Sequence, residues 1–199
     1  MTTRAASRTR STKETHIEVR LDLEGGGEHV DVDTGLPFFD HMLAQLGRHG
    51  AMSLRVHARG DLAVDTHHTV EDTAITLGEA FAEALGDKAG IRRYGTALLP
   101  LDEALVEVAL DLSGRAFTVY EVDCPVDALA LGTPPFDPQL GEHFWQSFAT
   151  AAGITLHVRL RSGRNTHHIL EAVFKAVARA LRDAVRIEGA TVPSTKGVL

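Results

Sequence analysis

The stretch Thr66-His67-His68-Thr69-Val70-Glu71 returns 100 residues later as Thr166-His167-His168-Ile169-Leu170-Glu171, in a chain of 199 residues. Each copy opens a run with apolar residues at steps of three and four: Val70, Ala74, Leu77 and Phe81 in one, Leu170, Val173, Val177 and Leu181 in the other. That period predicts two helices, each beginning at a His-His pair. Within such a helix the Glu lies four residues after the first His and three after the second, so both imidazoles are expected within reach of its carboxylate, as a metal chelate needs.

Outward from the first copy, Ser53 to Ala58 reads as a strand. Asp65 or Thr66 is positioned to cap the helix, which should end near Gly86. Upstream, Thr15 to Leu23 alternates, with Ile17, Val19, Leu21 and Leu23 on one face, and Gly25-Gly26-Gly27 predicts a hairpin turn into Val30 to Val32. Pro37 suits a first helical turn, and Phe38, Met42, Leu43 and Leu46 give a helix ending near Gly47 or Gly50. Around the second copy the order returns. Ala97 to Leu101, Ala104 to Leu112 and Phe117 to Val122 read as strands, and Pro125 to Pro138, with four prolines, as a loop. A helix from about Gln139 to Ala152, a strand from Ile154 to Leu160 and a helix from His167 to about Ile187 follow. Asp40-His41-Met42 aligns with Glu142-His143-Phe144, which adds a third His to each copy.

The expected fold is therefore α+β, with two similar ββαβα halves packed as one body: 12–89 and 90–188, between a disordered start at 1–11 and a C-terminal tail at 189–199. A net charge of -7 argues against nucleic-acid or anionic-membrane surfaces. The single Cys124 excludes an intramolecular disulfide and favours an intracellular, cytoplasmic setting. Residues 1–10 carry Arg4, Arg8 and Arg10 but no apolar segment of the kind a secretory signal has, and no apolar run is long enough for a membrane span.

Eleven His beside one Cys is an unusual ratio. One isolated His-His pair would be read as capping and solvation. Two copies, each with a matching third His, are read as ligands: His41, His67, His68 and Glu71 from one half, His143, His167, His168 and Glu171 from the other. This nitrogen-rich set suits Zn, Fe, Ni or Mn better than Mg or Ca, and its duplication predicts two metals. Pro193-Ser194-Thr195-Lys196-Gly197 offers a hydroxyl, backbone amides and a cation to an anion, a weak signal by itself. Asp102-Glu103 reads as a solvated strand end, and Lys175 as the helical ion-pair partner of Glu171.

Five segments together resemble one known family: Pro37 to Leu43, Asp65 to Asp72, Asp111-Leu112-Ser113-Gly114-Arg115, Asn165 to Glu171, and Pro193 to Leu199. It is the imidazoleglycerol-phosphate dehydratases of histidine biosynthesis. The resemblance covers about Thr12 to Leu199; Ala116 and Leu101 depart from the family's usual Pro and Met. It implies two four-stranded sheets, each with two helices on one face, of the ribosomal protein S5 domain 2 type. It also implies a homo-oligomer of 24 subunits with active sites at subunit contacts, each holding two Mn²⁺. The implied reaction removes water from imidazole glycerol phosphate, giving imidazole acetol phosphate through a metal-bound imidazolate and a diazafulvene-like intermediate.

By the same resemblance, Glu14 and Glu171 are the acid-base candidates. His41, Gln45, His49, His67, His167 and Lys175 line the substrate, and Arg93, Arg115, Ser194 and Lys196 hold its phosphate. Two rivals use the same residues: a dinuclear hydrolase of a phosphorylated small molecule, and a non-catalytic metal store with closed coordination.

Overall fold

The computed structural model describes residues 4–125 and 128–199. The first half runs β1 (Ala5–Ser11), β2 (Thr15–Asp22), β3 (Val30–Asp33), α1 (Pro37–Gly50), β4 (Ser53–Gly60) and α2 (His67–Leu85). The second repeats that order with β5 (Tyr94–Leu101), β6 (Ala104–Asp111), β7 (Phe117–Glu121), α3 (Leu140–Ala152), β8 (Thr155–Ser162) and α4 (Thr166–Ala184). Each half forms one four-stranded sheet, in the order β1-β2-β4-β3 and β5-β6-β8-β7. The α+β duplication stands, but its unit is βββαβα rather than ββαβα.

The extra strand is β1, so Ala5 to Ser11, expected to be disordered, form a strand and the first half begins at Ala5 rather than Thr12; residues 1–3 of that expectation lie outside the described residues. β1 pairs antiparallel with β2 from Ala5↔Asp22 to Ser11↔His16. Its alternation is carried by charge instead of apolar side chains, which hid it. Around the buried Ala6, Arg4 reaches Glu24 at 2.6 Å and the Val185 carbonyl, Arg8 reaches Glu83 at 2.6 Å, and Arg10 reaches Asp72 at 2.7 Å. Arginines spaced by two or four residues project from one face of a strand, here toward acidic partners that include two on α2.

The expected hairpin between β2 and Val30 to Val32 is also corrected. β2 pairs with β4, and β3 lies on the far side of β4, parallel to it. The glycine turn lets the chain cross over, and α1 supplies the connection that parallel strands require. In the second half β7, α3 and β8 do the same. The loop after Pro125 has no helix or strand over its described residues; Val126 and Asp127 lie outside them. Phe136, fully buried, anchors it on Phe38 and Phe39.

Each sheet buries one face. Ile17, Val19, Leu21, Leu54 and Val56 point into the core from one sheet, and Val106, Val108, Leu156 and Val158 from the other. The opposite faces carry ion pairs such as Arg59–Asp33 and Arg159–Glu121, the pattern of an antiparallel sheet wet on one side. The helices lie between the two sheets and pack across the halves, α2 against α3 and α1 against α4. Small residues permit this approach. A Cβ on Gly78 would sit 2.7 Å from both the Phe148 carbonyl and the Ala151 Cβ. Burial of Phe39, Phe81, Phe144, Trp145, Phe148 and Phe174 makes one continuous core, with roughly 1.5–3 kcal/mol from each large side chain removed from water. Among the described residues no helix is long and apolar enough to cross a membrane.

Candidate metal centre

Asn165 starts α4 by accepting from the backbone N–H groups of His167 and His168. Asp65 takes the same part at α2, accepting from His67 N at 2.8 Å, while the Thr66 side chain makes no cap bond. Both His-His pairs are thereby fixed in the first helical turn.

Adjacent residues on a helix do not face the same way, and the pairs split accordingly. The rings of His67 and His68 are 6.1 Å apart and nearly perpendicular, and those of His167 and His168 are 6.3 Å apart and likewise crossed. Only the first His of each pair turns toward the Glu of its own helix. His167 Nε2 lies 3.0 Å from Glu171 Oε2, and His67 Nε2 lies 3.7 Å from Glu71 Oε2. The expectation that both imidazoles of a pair share one carboxylate is corrected.

The third member of each group comes from the other half. His41, on α1, approaches Glu171 Oε2 at 3.4 Å, and His143, on α3, approaches Glu71 Oε1 at 3.4 Å. Two groups result, His41/His167/Glu171 and His67/His143/Glu71. In each the ligand atoms all lie within 4.8 Å of one another. The packing of α1 on α4 and of α2 on α3 is what builds them.

Two imidazole nitrogens and one carboxylate oxygen form a donor set suited to a first-row transition ion. One atom supports this directly. Among the described residues His143 Nε2 is buried and makes no hydrogen bond, with Glu71 Oε1 3.4 Å away outside hydrogen-bond geometry, a condition that costs about 1–3 kcal/mol unless something else engages it. The residues present fit a metal ion.

The neighbourhood of Glu171 is the more polar of the two. Lys175 Nζ is 2.6 Å from Glu171 Oε1. Burial works to raise the Glu171 pKa, but the Lys175 ammonium and the hydrogen bonds from His167 and His41 outweigh it and hold the carboxyl below its ordinary range. Gln45 bridges His41 and His49 along α1, 3.4 Å from one ring and 3.1 Å from the other. Burial, with help from Lys175 and Arg179, keeps the His49 pKa below its usual value.

His68 and His168 join neither group. His68 Nδ1 faces Asp61 at 3.0 Å and Glu14 at 3.7 Å. His168 Nδ1 faces Glu103 at 2.8 Å, and the Glu103 pKa falls to about 2 through that bond and those from the Asn165 and Arg164 amides. Glu103 is therefore an organised part of this region, which corrects its reading as a solvated strand end. Strand register exposes the relation that spacing alone hid. Ala5↔Asp22 and Tyr94↔Asp111 are matching pairs, and the same offset of 89 carries Glu14 onto Glu103.

The basic residues gather elsewhere. Arg93, Arg115, Ser194 and Lys196 line a concavity of about 730 Å³ with Tyr94 and the C-terminal tail. No residue of the two His/Glu groups lines it. Arg93 is engaged there by Asp111 at 2.7 and 3.0 Å and by the Pro193 carbonyl at 2.8 Å, so it also ties the tail to the second half.

The family model that matches the chain, over residues 34–181, is "Imidazoleglycerol-phosphate dehydratase". A curated relative of that name from Acidothermus cellulolyticus is 59% identical, with 98% of this chain and 93% of the relative covered. The crystal structure of the Staphylococcus aureus imidazoleglycerol-phosphate dehydratase superposes with a TM-score of 0.80 at 33% identity, covering 94% of this chain and 99% of that one. The Pyrococcus furiosus structure gives 0.80 at 36% identity, covering 96% and 100%. With the family model, a relative 59% identical over nearly the whole chain and two superposed structures in agreement, the chain belongs to the imidazoleglycerol-phosphate dehydratase family of hydro-lyases.

Proposed function

We propose that the chain removes water from imidazole glycerol phosphate to give imidazole acetol phosphate in cytoplasmic histidine biosynthesis, using two Mn²⁺ ions per active site. The observation that carries the metal part is the pair of cross-half His/His/Glu groups, one of which holds the unpartnered Nε2 of His143. Family membership carries the substrate.

The hydrogen to be removed sits on a carbinol carbon with no carbonyl beside it, so the imidazole ring must accept the electrons. His41, His167 and Glu171, and His67, His143 and Glu71, would hold the Mn²⁺ ions, which would supply Lewis-acid charge to favour a negative ring. The ring then expels the neighbouring hydroxyl, which leaves as water after taking a proton, and becomes diazafulvene-like. Glu14, exposed at the β1–β2 turn, is the candidate base for the carbon-bound proton, and the resulting enol becomes the ketone. Glu171, with Lys175 beside it, is the second candidate for moving protons.

Arg93, Arg115, Ser194 and Lys196 are proposed to hold the phosphate. Their concavity is not lined by either His/Glu group, and His68 and His168 stand outside both groups. These two facts favour a site completed between copies of the chain in a 24-subunit assembly. His68→Ala and His168→Ala are then expected to weaken Mn²⁺ binding and assembly together, read by metal analysis and sedimentation.

The deciding experiment is dehydration by chelator-stripped protein, with and without added Mn²⁺. Product only with metal supports the proposal. Phosphate release instead would replace it with a hydrolase, and neither product with metal bound would leave a metal-binding protein. Lys196→Ala should raise KM with metal content unchanged; equal loss of both would remove the phosphate assignment.

A further inference from the structure

The two second histidines of the His-His pairs meet their carboxylates in the same way from different places in the chain. His168 Nδ1 is 2.8 Å from Glu103 Oε2, on the β5–β6 turn. His68 Nδ1 is 3.0 Å from Asp61 Oδ2, immediately after β4. A carboxylate accepts, and the other carboxylate near His168, Asp102, stays 3.7 Å from Nε2, beyond hydrogen-bond distance, so in each neutral ring Nδ1 carries the proton and Nε2 the lone pair.

The supports of the two carboxylates differ. Glu103 Oε1 also accepts from Arg164 N at 3.2 Å and Asn165 N at 2.8 Å, so both oxygens are committed. Asp61 Oδ1 has no hydrogen-bond partner among the described residues. Glu14 is the register equivalent of Glu103, yet it stands 3.7 Å from His68 Nδ1 while Asp61 makes the bond. A bulge in β8 shifts the register by one there, so Gly163 matches Gly60, each closed against the residue after the second His, and Asp61 is matched by Arg164. A guanidinium has no acceptor for the His168 Nδ1 proton, so the second half has no carboxylate at that position to substitute for Glu103.

We infer that Glu103 and Asp61 are positioning residues that fix His168 and His68 as Nδ1–H tautomers with Nε2 free to bind metal, and that Asp61, by taking this role, releases Glu14 for proton transfer. The ligand role of the two histidines and the chemistry of Glu14 rest on the proposed function; the tautomers do not. Duplication would otherwise leave two equivalent glutamates doing one structural job. A carboxylate one residue past β4 changes that, and the two halves divide the work.

The test uses the full chain labelled with ¹⁵N-histidine, stripped of metal and held at alkaline pH, with ring protonation read by magic-angle-spinning NMR. His68 and His168 should both show an unprotonated Nε2. In Glu103→Gln the two backbone N–H groups claim the amide oxygen, which turns the NH₂ onto His168 Nδ1. The His168 proton should then move to Nε2, with His68 unchanged. Mn²⁺ affinity, read by electron paramagnetic resonance of the free ion, should fall about 10–100-fold.

Asp61→Asn has no such conflict and should keep the tautomer, with Mn²⁺ affinity within about threefold of the parent. Asp61→Ala should draw Glu14 onto His68, keeping the tautomer and the metal while kcat drops about 100-fold. An unmoved His168 proton or unchanged affinity in Glu103→Gln overturns the positioning role. An unchanged kcat in Asp61→Ala overturns the release of Glu14. Inverted tautomers in a parent chain that binds Mn²⁺ overturn this inference alone. Correct tautomers in a parent that takes up no Mn²⁺ overturn the ligand role and the proposed function together.

Discussion

The two His/His/Glu groups share their ligands but not their surroundings. Around His41, His167 and Glu171 stand Gln45, His49 and Lys175; at the matching positions around His143, His67 and Glu71 stand Ser147, Ala151 and Ile75. The Glu171 side chain is 12% exposed and paired with an ammonium, whereas Glu71 is 37% exposed with no lysine beside it. Duplication preserved the groups that a metal needs and freed the residues behind them to diverge. One group acquired a polar wall with an ammonium, and the other the smaller or apolar Ser147, Ala151 and Ile75, with Ala151 set close to Gly78.

If that difference is functional, equivalent substitutions must give unequal results. The largest effect is expected for Glu171→Gln, about a 10³-fold loss in kcat/KM, because it removes the proposed ligand and proton carrier and the partner of a half-buried Lys175. Glu71→Gln should cost clearly less. Equal losses in steady-state assays would remove the distinction.

Metal counting tests the cross-half assembly. His41→Ala is expected to empty the group containing His167 and spare the one containing His67; His143→Ala should do the reverse. Each should lower bound Mn²⁺ from two per chain to one by elemental analysis. Loss of both ions in either variant would mean that the groups are not separate.

A smaller effect concerns pH. The folded protein disfavours charge on His49, whose pKa lies below 6.5 chiefly through burial. Its contribution to stability is present above about pH 6.5 and is lost as pH falls through that value toward the lowered folded pKa, because the unfolded chain binds the proton first. Denaturant titrations across this window should show a shallower pH dependence for His49→Gln than for the parent. Parallel curves would contradict the assignment.

The smallest effect lies at the helix ends. α1 closes on Ala51 and α3 on Gly153, both left-handed, with φ of 54° and 65°. Ala51→Gly should stabilise by about 0.5–1 kcal/mol and Gly153→Ala should destabilise by a similar amount. Thermal melts with the same sign for both would break the equivalence.

Much of this molecule was legible beforehand because it is written twice. The β2 face, the four helices and the third His of each group all showed as periodicity or repetition, and the family motifs named the chemistry. What escaped did so for identifiable reasons. β1 alternates in arginine, and a polar edge strand looks like a tail until its acidic partners are in place. The glycine run marked a turn but not its destination, since pairing partners across a sheet are not encoded in a turn's composition. Glu103 and Asp61 sit at unequal distances from their histidines along the chain, so no repeat search aligns them.

The sequence by itself determined that imidazoles and carboxylates would gather at two helix starts, because helical spacing is local physics. Only the tertiary structure decided which of them meet. Neighbouring histidines on one helix point apart, so each group had to be completed by a helix from the other half, and that choice was made by the packing of α1 on α4 and α2 on α3.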